Sequence, residues 1–358
     1  MSREPADGAP RSAEADLRTD GRDIDPRLGT LTGLGAGQKA APDGPDRPVP
    51  GAGQPIYDRN PSERPDDGPN TYYGTPIVKA PPWGPPVPAY IVLGGVSGAS
   101  AALAAACQHD PAATRLVTAA RWLAFGAGSA GASLLLKDLG RPERFLNMFR
   151  VARPTSPMSV GVYILSASVG TSAAASVLGR RRGLLGWLGR TCGVVAGITG
   201  VPLTGYTAVL LGTTALPGWN LGLRTLPPLF MASAAATAGS ALTAVPLPAG
   251  AARSVDVYRG AGQLAELAAE AVHERVVAAH PPVAAAYERQ RTWKAGRWLT
   301  LGSLAVSLVP SLRRSRRGRL VIAALGVAGS TATKVGVFDA GMATAADPVA
   351  TIEQQRSG

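Results

Sequence analysis

The hydrophobic residues of this chain gather into long blocks, and its charges sit in short clusters between them. Eight blocks stand out: 87–107, 116–136, 158–178, 188–211, 225–247, 258–279, 296–312 and 319–341. An α-helix needs ~20 apolar residues to cross a bilayer, and most of these blocks reach that length. They are rich in Ala, Gly, Ser and Thr, and small side chains let helix backbones approach closely. Lipid offers a peptide group no hydrogen-bond partner, so the pattern predicts an all-α integral membrane protein, a bundle of about eight transmembrane helices. The sixth and seventh blocks are the weakest. The sixth carries Glu266, Glu270, His273 and Glu274, and the seventh is short. No internal repeat of fixed period is visible.

Charge divides the chain. Residues 1–86 hold 10 Lys/Arg and 13 Asp/Glu with abundant Gly and Pro, whereas the remaining 272 hold 26 and 11. The first stretch is expected to be a disordered polar tail, because it cannot bury enough apolar surface to offset ordering entropy. It precedes a helical domain over 87–345 and a short C-terminal tail, 346–358. No charged segment leads into an apolar one at the start, so no cleaved signal peptide is expected. The net charge of +12 belongs to the apolar part, in clusters between spans, as the positive-inside rule describes. A nucleic-acid binder would instead carry its basic residues on one face of a soluble domain, and that class is excluded.

An even number of spans puts both termini on one face. The clusters Arg180–Arg182 and Arg313–Arg317 then share the opposite face, which the same rule makes cytoplasmic. The termini and the 137–157 connector are thereby expected on the outer face of a bacterial cell membrane. That connector spends about twenty residues where a few would do. It carries five basic side chains, two acids, three prolines and an amide, and reads as a docking surface or a site at the membrane face.

Four stretches bring a family into view: TYYGTPIVKAPPWGPPVPAYIVLGGVSGAS from 71, DLGRPERFLNMFRVARPTSPMSVG from 138, PLTGYTAVLLGTTALPGW from 202 and GSTATKVGVFDAGMATAADP from 329. Together they resemble the NrfD/polysulfide-reductase membrane-anchor family, over nearly all of 71–348. The resemblance implies an eight-helix subunit that binds menaquinone or ubiquinone in the membrane. It also implies a four-cluster ferredoxin-like iron–sulfur partner, wired in turn to a molybdopterin-type catalytic subunit. The substrate chemistry would then belong to another polypeptide. Where the family often has Arg, this chain has Lys334.

A b-type haem in a membrane bundle needs axial ligands, usually facing histidines. None of His109, His273 and His280 lies mid-way along a strongly apolar block, and no cysteine motif could hold a cluster, so neither haem nor iron–sulfur cluster is expected in this chain. Cys107 and Cys192 read as inert buried thiols. A quinone site needs an apolar slot, donors for two carbonyl oxygens and a proton route. Tyr206 is the first candidate donor, and it reads equally as an interfacial packing tyrosine. Asp138 is a candidate proton carrier or ring contact, with a helix-end carboxylate paired to Arg141 or Arg144 as the plain alternative. Asn147, Ser156 and Ser159 are candidate neutral donors, and Met158 a candidate wall. Each of these also fits a cap or turn, and Ser156 fits the N-cap of the third span. Arg141, Arg144 and Arg150 are candidate contacts for an acidic partner or for lipid phosphate.

Glu266, Glu270 and Glu274 recur every four residues and so share one helical face, with His273 beside the last. Acids inside a span usually face the bundle and mark proton routes, so these four are candidate relay groups. The alternative is an interfacial helix whose acids face water. Lys334 and Asp339 read as structural charges paired across a turn or with other helices. A secondary transporter, the rival class, would show inverted repeats, and none is legible. A purely structural anchor is the third reading.

Overall fold

The computed structural model describes residues 78–138, 142–150 and 152–357, with two short strands before them. Those strands, β1 (Asp23–Asp25) and β2 (Thr30–Thr32), pair antiparallel with Ile24 opposite Leu31, and belong to a separate unit, Met1–Pro69. The remainder of the tail reading for 1–77 lies outside the described residues.

The second unit is helical: α1 (Pro86–Cys107), α2 (Thr114–Asp138), α3 (Pro157–Leu178), α4 (Gly183–Gly212), α5 (Pro217–Asn220), α6 (Leu226–Thr243), α7 (Ala249–Ala278), α8 (Pro281–Arg289), α9 (Arg291–Leu308), α10 (Pro310–Arg314), α11 (Arg316–Ala345) and α12 (Pro348–Ser357). Among the described residues, α1, α3, α4 and α11 are long and apolar enough to cross a membrane. The protein is therefore a helical membrane protein. The other four helices of 18 residues or more are more polar. Charges interrupt α2, α7 and α9, while two prolines and several hydroxyls lower the hydropathy of α6.

Packing sorts the long helices into two groups. Helices α1 to α4 form one four-helix bundle, and α6, α7, α9 and α11 form the other. Each repeats one order of contacts, first with second, third with fourth, and fourth back to first. The seam between them runs through α1 against α6 and α11, and α4 against α6. Helix α1 is central, with 67% of its apolar window buried, against 33% for the peripheral α3. Small residues make this possible. Where α1 crosses α4, a methyl on Gly98 would run into the carbonyl of Gly200.

Near the start of α1 the seam is locked by Trp219, wholly buried on α5. It stacks on Trp83 at 5.7 Å, meets Phe338 at 5.5 Å and donates from Nε1 to the Val337 carbonyl at 2.9 Å. The stretch just before α1 thus packs against the bundle. Tyr287 of α8 donates to the Gly218 carbonyl at 2.9 Å, and burial pushes its phenol well above the ordinary range.

Candidate functional site

A cavity of about 130 Å³ lies where the start of α1, the end of α2, the start of α3 and the end of α4 converge. Its walls are mostly apolar, with Val87, Ile91, Leu135, Leu165 and Leu211 among them. Three residues singled out in the sequence meet here: Tyr206, Asp138 and Met158. Trp83, Tyr90 and Gly161 join them. The connector closes one side, for its 3₁₀ segment Pro142–Phe149 contributes Phe145 and Met148. That segment is held to α3 by Tyr163, which donates to the Phe149 carbonyl at 3.1 Å and meets the Phe149 ring edge-on at 5.6 Å.

Local structure explains how Tyr206 is aimed. Ser156 caps α3, accepting from the Ser159 amide at 3.4 Å, and Pro157 supplies the first turn with a residue that needs no amide partner. This sets Gly161 against α4, and the Tyr206 ring fills the space its missing side chain leaves. Among the described residues the Tyr206 hydroxyl makes no hydrogen bond, and neither does that of the buried Tyr90. A phenol so placed in an apolar slot is a free donor for a ligand oxygen. Replacing Gly161 by Ala is expected to force the ring out and cost about 1–3 kcal/mol through overpacking. Thermal unfolding checks this, because Gly161→Ala should cost much less in a Tyr206→Ala chain than in the unaltered one.

The other candidates lie elsewhere. Asn147 and Arg150 are exposed on and after the 3₁₀ segment. Ser156 and Ser159 serve the backbone, with Ser159 Oγ accepting from the Arg153 amide at 3.1 Å. Arg141, and the side chain of Arg144, lie outside the described residues.

The second bundle carries a polar file along one face of α7. Arg259 donates to Gln263 at 2.7 Å, and Gln263 donates to Ser303 at 2.9 Å. A turn further on, Glu266 is wholly buried and accepts from Ser330 of α11 at 2.6 Å. Glu270 accepts from Thr333 at 2.9 Å and from Arg297 of α9 at 3.3 Å, and Arg297 also donates to Glu274 at 2.5 Å. His273, wholly buried, pairs its Nδ1 with the Thr225 hydroxyl at 2.8 Å. At 1.5 Å per residue, the file from Arg259 to Glu274 extends about 22 Å. It ends at a cavity of about 370 Å³ walled by His273, Glu274, Tyr287, Trp293 and Arg297. Lys334 of α11 points into the same file. It neighbours Glu266 electrostatically rather than Asp339, and its ammonium lies 6.0 Å from the Phe230 ring centre. Among the described residues Lys334 Nζ and Glu266 Oε1 have no hydrogen-bond partner.

The family model described as polysulphide reductase, NrfD, matches residues 76–269. This chain belongs to the NrfD family. The match runs from just before α1 into α7, so it takes in the whole first bundle, the Tyr206 cavity and Glu266. A search of the curated proteins returns no match. NrfD membership and the apolar helices together make this a membrane protein of the quinone-linked oxidoreductase class. Among the described residues no group of three or more His, Cys, Asp or Glu is arranged to hold a metal ion, and Cys107 and Cys192 are free thiols.

Proposed function

We propose that this NrfD-family chain is the quinone-reactive anchor of a bacterial respiratory oxidoreductase, linking a partner's iron–sulfur cluster to the menaquinone or ubiquinone pool. The observation that carries the reading is the Tyr206 hydroxyl, without a hydrogen-bond partner among the described residues, inside an apolar cavity that Asp138 also lines. The residues fit a quinone: an aliphatic and aromatic slot for the ring, a phenol to donate to one carbonyl oxygen, and a carboxylate on the same wall. A quinone bound there supplies two-electron redox chemistry and takes up two protons on reduction.

In this reading Tyr206 orients the ring and Asp138 holds the proton nearest to it. Phe145 and Met148 screen the slot from water. The eight long helices all cross the membrane, with the connector on the outer face, where Arg141, Arg144 and Arg150 meet a four-cluster ferredoxin-like subunit that leads to a molybdopterin-type catalytic chain. Glu266, Glu270, His273 and Glu274 relay protons through the second bundle. That file approaches the first bundle through Lys334, whose ammonium lies where a side chain on Gly95 of α1 would be.

Purification in mild detergent tests the assignment. The chain is expected to bring down an iron–sulfur polypeptide, and solvent extraction of the complex is expected to release an isoprenoid quinone. A chain that comes out alone and quinone-free would sink it.

A further inference from the structure

The cavity at the end of the α7 file, about 370 Å³, lies where the end of α7, the short helix α8 and the start of α9 meet. Trp293 on its wall packs against Gly336, in the last third of α11, a helix long and apolar enough to cross a membrane. Trp298, also on the wall, is 72% exposed on α9. Tryptophans favour the level where a bilayer turns from headgroup to acyl chain, and the cavity opens at that level.

Its chemistry is mixed and half used. The rings of Tyr287 and Trp293 meet edge-on at 5.2 Å, and both stand beside His273. His273 is wholly buried, and its Nε2 has no hydrogen-bond partner among the described residues. A buried polar atom in that state marks a place where a further molecule completes the site. Glu274 takes both of its bonds at Oε1, from Trp293 at 3.2 Å and from Arg297, which leaves Oε2 over. Arg297 spends Nε and Nη2 on Glu270 and Glu274, which leaves Nη1 over. At the rim, Glu288 of α8 and Lys294 of α9 are exposed, and neither forms an ion pair among the described residues. One cavity thus offers two acceptors for a cation and two donors for an anion.

We propose that this cavity binds a headgroup that joins a primary amine to a phosphate, as phosphatidylethanolamine does, taken from the adjoining bilayer. The ammonium rests on the Tyr287 and Trp293 rings, which attract a cation, and donates to Glu274 Oε2 and Glu288. The phosphate accepts from Arg297 Nη1 and Lys294. An anionic headgroup without an amine would set its phosphate against both carboxylates, and an amine alone would leave both bases unused. A lining of both signs selects a molecule that carries both. Seated there, the headgroup shields the Glu274 end of the file from water. The inference uses no residue of the first bundle and stands apart from the quinone reading.

Native mass spectrometry of the full-length purified chain tests it, by counting lipids retained from detergent that carries phosphatidylethanolamine and phosphatidylglycerol of one chain length. The unaltered chain is expected to keep one ethanolamine lipid at about a tenth of the concentration that the glycerol lipid needs. Glu288→Gln is expected to weaken the ethanolamine lipid about threefold to fivefold and leave the glycerol lipid as it was, whereas Lys294→Gln weakens both. Both side chains are exposed and unpaired, so neither change threatens folding. Arg180→Gln, exposed just past the end of α3, should alter nothing. Soluble phosphoethanolamine separates the two sources of this chemistry. Displacement of the lipid only at far higher concentration supports the bilayer as the source, and displacement at equal concentration overturns it in favour of a soluble amine phosphate. Equal retention of the two lipids by the unaltered chain would overturn the proposal, as would ethanolamine-lipid binding indifferent to both rim variants.

Discussion

Tyr206→Phe is expected to lower quinol-linked turnover about tenfold to a hundredfold while leaving assembly and thermal stability unchanged. The hydroxyl has no partner among the described residues, so deleting it orphans nothing inside the protein. The phenyl ring still fills the notch at Gly161, so α3 and α4 keep their spacing. A purely packing tyrosine predicts no loss of turnover, because packing is what the substitution preserves. Turnover of the purified complex, normalised to its content of the chain, decides between them. An unchanged rate removes Tyr206 from the site.

Lys334→Met is expected to destabilise the protein by about 3 kcal/mol or more, and adding Glu266→Gln should recover much of that loss. Both side chains are almost wholly buried, at 1% and 0% exposure. With the ammonium gone, Glu266 keeps the Ser330 hydroxyl at 2.6 Å but loses its neighbouring cation, so its buried carboxylate is left uncompensated. Removing both charges abolishes the mismatch. Thermal midpoints of the two single variants and the double variant measure the coupling. If the double variant is no more stable than Lys334→Met alone, the two residues do not act as a pair.

Much of this fold is legible in hydropathy, because in a bilayer each helix must satisfy its own backbone and so announces itself as a block. The edges are less legible, for physical reasons. Hydropathy predicts the seventh block over 296–312, yet α9 covers Arg291–Leu308, since Arg291 and Lys294 mask its true start and Pro310 begins a new short helix. It predicts the sixth from 258, whereas α7 starts at Ala249, its first turns hidden by Arg253 and Asp256. The pairing of β1 with β2 had no sequence signal to announce it.

At the site, Tyr206, Asp138 and Met158 come together from three separate helices. Trp83, Tyr90 and Gly161 went unnoticed. Trp83 falls within the stretch whose composition reads as tail, Tyr90 reads as an ordinary membrane-boundary aromatic, and a glycine shows its use only when the ring it admits is known. The partners of the α7 acids were equally hidden, because Ser330, Thr333 and Arg297 arrive from helices distant in the chain.

The polar face of α7 also constrains how the protein is made. At the centre of a bilayer an Asp, Lys or Arg costs ~3 kcal/mol on insertion scales, and this helix carries several ionisable groups. In the eight-span arrangement proposed above, it cannot leave the translocon for lipid as a solitary helix. It must wait beside α6 until synthesis delivers α9 and α11 with Arg297, Ser330, Thr333 and Lys334. The second bundle is thus committed to partition as a unit, and a ribosome stalled before residue 334 would hold α7 in the membrane gate without the cation that lets it settle.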